Sequence, residues 1–156
     1  EPSRPTESPA AMTTHTYAQG TRTSILTAGT LAVSTYIAGS AIDLGATIPV
    51  DITFEVEANA NGTPSGNKQL KFFLKLSLDN TNFSTGPESG TTTTEEADLH
   101  YVGALPMNDT NDHRRMFRIR GLPVARYIKP VLFNDLGVAL TSGAVYSATI
   151  TPTTTA

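Results

Sequence analysis

The stretch from Gln69 to Asn82, QLKFFLKLSLDNTN, restricts the fold more than any other part of the chain. Leu70, Phe72, Leu74, Leu76 and Leu78 fall on every second position. Period two is the strand period, so these side chains are expected on one face of a strand. Lys71, Phe73, Lys75 and Ser77 occupy the other, mostly polar face. A slip of one residue would move the whole apolar set into water, which fixes the register. Asp79-Asn80-Thr81-Asn82 then reads as a turn, because Asn and Asp side chains hydrogen-bond nearby backbone. A second strand is expected over Ile48 to Val56, with Ile48, Val50, Ile52, Phe54 and Val56 inward and Asp51, Thr53 and Glu55 outward. Pro49 near its start is tolerated where no ladder donor is needed. These two strands are expected at the centre of the core.

The remaining elements follow in order. Glu1 to Gln19 carries Pro2, Pro5 and Pro9 among Ser, Thr and Ala. Proline removes backbone donors, so an extended arm is expected there, able to order against a neighbouring subunit. Short strands are expected over Arg22 to Thr27 and Leu31 to Ala38, with a loop from Gly39 to Gly45. Asn59 to Asn67 reads as a long turn joining the two main strands as a hairpin. Phe83 to Thr94 is a long polar loop of a kind that is often functional. Later strands are expected over Leu99 to Leu105, with Leu99, Tyr101 and Gly103 on one face. Others follow over Arg114 to Leu122, with Phe117 and Ile119 inward, and over Val124 to Phe133. Asn134 to Gly137 is a turn, Val138 to Leu140 a short strand, and Ala144 to Thr151 closes the fold with Tyr146, Ala148 and Ile150 on one side. About eight strands and no helix suggest a sandwich or barrel, with a jelly roll first and another Greek-key sandwich second. The expected organisation is an extended N-terminal arm over 1–20, an antiparallel β-sandwich over 21–152 and a polar tail over 153–156.

The composition supports a β reading and narrows the chemistry. Only 16% of residues are charged, well under the usual quarter, while Thr, Ser, Gly and Asn are abundant. Thr favours strands and the others favour turns. At 156 residues, one domain with a core that needs no staple is expected. The net charge of −3 and the lack of a basic stripe argue against nucleic acid as a partner. No apolar run approaches the ~20 residues that span a bilayer, so no membrane partner is expected. The first residues have neither a signal-like pattern nor an initiator Met, which suggests a trimmed chain. With no Cys, disulfides and thiolate zinc sites are excluded. His15, His100 and His113 are not spaced as a local metal motif. Ser in a Gly-x-Ser-x-Gly elbow and phosphate-binding Gly loops are also missing. Glu95, Glu96, Asp98, Asp109 and Asp112 are the acidic candidates, and Asn108 to Asp112 lacks EF-hand spacing. They read as solvated turns. Ser77 to Phe83 partly resembles the Asp-box turn of propellers, but occurs once, with Thr81 where that motif has Gly. Arg114, Arg115, Arg118, Arg120 and Arg126 form the one basic cluster, with Arg114, Arg118 and Arg120 sharing a side. This reads as a solvated sheet face or as a face that pairs with carboxylates of another subunit. Neither a catalytic constellation nor a cofactor site emerges.

Several segments resemble a known family. Leu74-Lys75-Leu76-Ser77-Leu78-Asp79-Asn80-Thr81 resembles the strand and Ser-x-Asp-x-Thr turn of small virion proteins of tailed bacteriophages. Val102 to Pro106 and Ala125 to Pro130 resemble their later strands. Phe133 to Leu140 resembles the Asn-x-x-Gly turn that follows. The resemblance runs from about Gln69 to Thr151. It implies a jelly-roll head decoration (cement) protein, non-enzymatic and without a cofactor, on the outer capsid surface of a virion. The implied partners are the major capsid protein and further copies of the chain, with a homotrimer favoured. Candidate contact residues are Pro5, Pro9 and Tyr17 in the arm and Arg114, Arg118 and Arg120 in the basic cluster. A carbohydrate-binding or adhesion module is the second expectation. The lack of Trp and the inward placement of most Phe and Tyr weigh against it.

Overall fold

A computed structural model describes residues 14–49, 51–120 and 125–155. Eleven strands are present among them: β1 (Thr14–Gln19), β2 (Thr23–Thr27), β3 (Tyr36–Ala38), β4 (Ile42–Asp43), β5 (Asp51–Ala60), β6 (Gln69–Ser77), β7 (Ser89–Gly90), β8 (His100–Pro106), β9 (His113–Arg120), β10 (Tyr127–Asp135) and β11 (Leu140–Thr155). A 3-10 turn spans Glu96–Asp98.

Two antiparallel sheets pack as a sandwich. The first runs β1–β11–β5–β9, with β2 also on β11, and the second runs β7–β3–β10–β6–β8, with β4 also on β10. The early strands β2 and β3 thus pair with the late strands β11 and β10, one pair in each sheet. This wrapping, with β5 and β6 entering opposite sheets, is the double Greek key of a jelly roll. The expected hairpin between β5 and β6 is therefore corrected: the segment 61–68 crosses from one sheet to the other.

The core is the alternating pattern made solid. Ile52, Phe54 and Val56 face Leu70, Phe72 and Leu74 across the sandwich, all almost wholly buried. Phe72 meets Phe54 edge-on at 5.4 Å between ring centroids and Phe117 at 6.1 Å. Phe117 and Ile119 point inward as expected. The strand expected from Ile48 begins instead at Asp51 and continues to Ala60, adding Ala58 and Ala60 to the core. Val50 lies outside the described residues.

The structure departs from the sequence reading in further places: only Tyr36–Ala38 of the expected Leu31 to Ala38 strand is a strand, and β4 lies within the expected Gly39 to Gly45 loop. Leu78 is 77% exposed, because β6 ends at Ser77 and Asp79 turns the chain, accepting from the Thr81 and Asn82 amides at 2.9 and 2.8 Å. Phe73 and Lys75 lie on the outward face, as read, yet both are buried. The long loop from Phe83 to Leu99 covers them and forms a second apolar cluster of Tyr36, Phe73, Leu99, Val131 and Phe133. Leu99, Tyr101 and Gly103 do not share a face. A register shift opposite Phe72/Phe73 leaves Tyr101 beside Phe73 on the outside and Gly103 beside Phe72. A Cβ at Gly103 would sit 2.4 Å from the Phe117 ring. Finally, β11 is one strand of 16 residues, where a short strand and a separate closing strand were expected.

Its last residues, which include the start of the expected tail, pair with the described end of the expected arm. Thr14 pairs with Thr155, Tyr17 with Pro152 and Gln19 with Ile150. Residues 14–19 are thus part of the first sheet. The proline-rich stretch with Pro5 and Pro9 lies outside the described residues.

Candidate functional site

Arg114 and Arg118 stand on the outer face of β9, where strand pairing sets Glu57 opposite Arg114, Met116 opposite Glu55 and Arg118 opposite Thr53. Both find carboxylates on β5 of the same chain. Arg114 donates to Glu57 Oε2 from Nη2 at 2.6 Å and from Nε at 3.2 Å. Arg118 donates to Asp51 Oδ2 from Nε at 2.7 Å and also from Nη2. Across β11, Arg22 donates to Glu55 from Nε at 2.9 Å and to Glu57 from Nη2 at 3.1 Å, with its guanidinium 3.2 Å above the Tyr146 ring centroid. Tyr146 donates its hydroxyl proton to Glu57 Oε1 at 2.9 Å. Burial pushes the Glu57 carboxyl up, and the Arg114 and Tyr146 hydrogen bonds overcome that and hold its pKa below the ordinary range. The outer face is therefore a ladder of opposite charges, the acids of β5 lying between the arginines of β9 and Arg22, just before β2, and these ion pairs form within the chain. Arg120 lies opposite Asp51 in the strand register, and its side chain is outside the described residues.

Tyr17 and Arg118 are brought to the same end of this face. The Asp51 hydrogen bond raises the Arg118 pKa. Tyr17 is 69% exposed. It belongs to a ribbon that extends past the end of β5: Asp51 is paired with Ile150, and 151–155 continues against β1. Thr14, Thr16, Tyr17, Ala18, Thr151, Pro152 and Thr153 are all exposed.

The opposite sheet carries features that period counting did not locate. The strap from Phe83 to Leu99 is held to β6 and β10 by its acids. Lys75, only 6% exposed, donates to Gly86 O at 3.1 Å and Glu88 Oε1 at 2.8 Å. Lys129 donates to both Glu88 oxygens at 3.1 Å and lies 4.5 Å from the Phe83 ring centroid. Glu96 accepts from Lys71 Nζ at 3.3 Å and from the Tyr36 hydroxyl. Asp98 accepts from Thr85 Oγ1. Glu96 and Asp98, read from the sequence as part of a solvated acidic turn, thus have partners within the chain. The usable signal was the spacing of Lys71, Lys75 and Lys129 on outward strand positions with an acidic loop nearby. Beside the strap lies a groove of about 630 Å³, lined by Lys71, Phe73, Thr93, Thr94, Glu96 and Tyr101 among others.

The other chemistry candidates resolve into local structure. Asp109 accepts from the Asn111 amide at 2.8 Å and meets His113 Nε2 at 3.0 Å, and these bonds lower its pKa. Asp112 accepts from Asn59 Nδ2 at 3.1 Å. Among the described residues, no three His, Asp or Glu side chains are grouped to hold a metal ion. No helix there is long and apolar enough to cross a membrane. Comparison with protein-family models and with curated proteins gives no match.

Proposed function

We propose that this protein is a non-enzymatic structural component of a virion, a decoration protein that binds the outside of a phage head as a homo-oligomer and stabilises the shell. The observation that carries this reading is the ribbon of β1 and the end of β11. A two-stranded ribbon is marginal alone in water. This one extends past β5 with most of its residues exposed, and among the described residues β1 is the last strand on its side of the sheet. Its outer N–H and C=O groups form an edge of the kind that proteins cover or pair. A surface on a second copy or on the shell would serve both needs. The resemblance of Gln69 to Thr151 to head decoration proteins supports the same reading, and the preference for a trimer rests on that resemblance alone.

The ion pairs are given a small part. Arg114, Arg118 and Arg126 are partnered in their own chain, and exposed pairs contribute little to affinity. Ribbon backbone and apolar groups such as Tyr17 and Pro152 are assigned most of the contact. The test is native mass spectrometry over a concentration series, together with co-sedimentation on purified capsid shells. A closed oligomer that sediments with shells is the expected result. A protein that stays monomeric at every concentration and ignores the shells overturns the reading.

A further inference from the structure

The groove beside the strap has the chemistry of a ligand site. Its volume, about 630 Å³, lies within the roughly 300–1,000 Å³ of small-molecule sites. Tyr101 stands at its wall, 55% exposed, yet its ring is held edge-on against buried Phe73 at 5.4 Å between centroids. A tyrosine ring offers a large, stiff surface with little rotamer freedom to lose. Glu96, Thr93 and Thr94 are the polar members of the same lining, with Lys71. The Glu96 carboxylate is already positioned by Lys71 and by the Tyr36 hydroxyl, so little ordering remains for binding.

We infer that this groove binds a neutral saccharide. Three features select that class. A sugar ring presents apolar C–H groups to an aromatic wall and hydroxyls to its rim, which matches a lining that combines Tyr101 and Phe73 with a carboxylate and with threonines, whose hydroxyls both donate and accept. A purely apolar ligand would strip water from Lys71, Glu96 and the threonines without replacing those hydrogen bonds. An anionic ligand meets the wrong charge: the Lys71 ammonium lies 3.3 Å from Glu96 and 3.9 Å from Asp135, so two carboxylates surround one cation. The site is on the sheet opposite the β1–β11 ribbon and does not depend on self-association or shell binding.

Saturation-transfer NMR on the full chain tests this with glucose, galactose, mannose, N-acetylglucosamine and lactose, and with glucuronate as the acidic probe. At least one neutral sugar is expected to bind, with glucuronate weaker than glucose. Tyr101→Ala is expected to weaken that binding about tenfold, the scale of losing an aromatic anchor. Melting curves check that the variant is folded, and Thr94→Val, a smaller change on the groove wall, gives a second reading with a partial loss. Three results overturn the inference: none of the neutral sugars binds, glucuronate binds better than glucose, or folded Tyr101→Ala and Thr94→Val both bind as tightly as the parent.

Discussion

Asn134 shows what a single side chain does in this fold and what its sequence context hides. It is fully buried at the end of β10. Its Nδ2 donates to the carbonyls of Leu31, Ala32 and Val138 at 3.0, 3.1 and 2.9 Å, while its Oδ1 accepts from the Leu136 amide at 3.0 Å. Asn134→Ala strips these groups of a partner where water enters poorly, and is expected to cost roughly 2–4 kcal/mol, since each buried group left unmade costs about 1–3. Leu74→Ala, by urea titration, is expected to cost about 2–5 kcal/mol from lost transfer energy and a cavity. A value below about 0.5 kcal/mol for Leu74→Ala would mean that its face is not the core face. The two residues differ in legibility for a physical reason. Leu74 belongs to an alternating set, and alternation is a property of the strand itself. Asn134 looked like an ordinary turn residue before Gly137, because turn propensity is local, whereas two of the three carbonyls that Asn134 collects come from a loop a hundred positions earlier in the chain. Leu78 continues the alternation in sequence but not in space, because the Asp79 turn takes over one residue earlier.

At the scale of elements, the strap from Phe83 to Leu99 carries a dependence on pH. Burial pushes the Glu88 carboxyl up, but the hydrogen bonds from Lys75 and Lys129 outweigh it, and the folded pKa is lowered. A carboxylate lowered on folding stabilises fully above its unfolded pKa, about 4.3, and that contribution is lost as pH falls through the folded value. Protonation removes the anion while Lys75 stays buried with a charge, so the strap is expected to loosen in acid before the sandwich opens. Hydrogen exchange followed from about pH 6 to pH 3 should show the amides of 83–99 losing protection ahead of those of β5 and β6. In Glu88→Gln the strap is expected to be looser at neutral pH and to show little further change down to about pH 3. Equal loss of protection across strap and core would place the acid response elsewhere. The sequence marked Phe83 to Thr94 as a long loop, but not where it lies. Period two tells which side chains share a face; it does not say whether water or another segment covers that face. The outward lysines of β6 therefore read as solvated, although the strap buries Lys75 and packs Leu99 against Phe73. In the same way, Tyr101 reached the groove through a bulge in β8 that no pattern of single residues announces.

At the scale of the whole molecule, an antiparallel jelly roll was legible because strand count, turn spacing and the lack of helix period all favour it, and β5 and β6 are central as expected. Which sheet each strand joins was not, since strand pairing is decided by contacts far apart in sequence, and the expected β5–β6 hairpin became a crossover between sheets. The chain ends were read as arm and tail because proline and threonine are poor local signals for pairing, whereas Thr14–Gln19 and the end of β11 complete each other only when brought together. That pairing bears directly on the effect of removing 1–19. The described part of the segment is exposed and contributes nothing to the apolar cores, and β11 remains held by β5 and β2 along 140–150. The deletion is therefore expected to leave the sandwich folded, with a fall in melting temperature of a few degrees at most, about the effect of 1 kcal/mol or less in a domain of this size. Self-association is expected to drop sharply, because the ribbon loses one of its two strands and Tyr17 with it. Salt separates this mechanism from charge pairing. At about 0.5 M salt exposed ion pairs are screened. Since Arg114 and Arg118 are already paired in their own chain, the oligomer of the intact protein should survive that salt while the truncated protein stays dissociated without it. Native mass spectrometry of both proteins in volatile ammonium acetate, at low and high concentration, reads the two effects together. An oligomer that dissolves in salt would move the interface to the charged ladder, and a large fall in melting temperature for the truncated subunit would make β1 a structural strand of the sandwich.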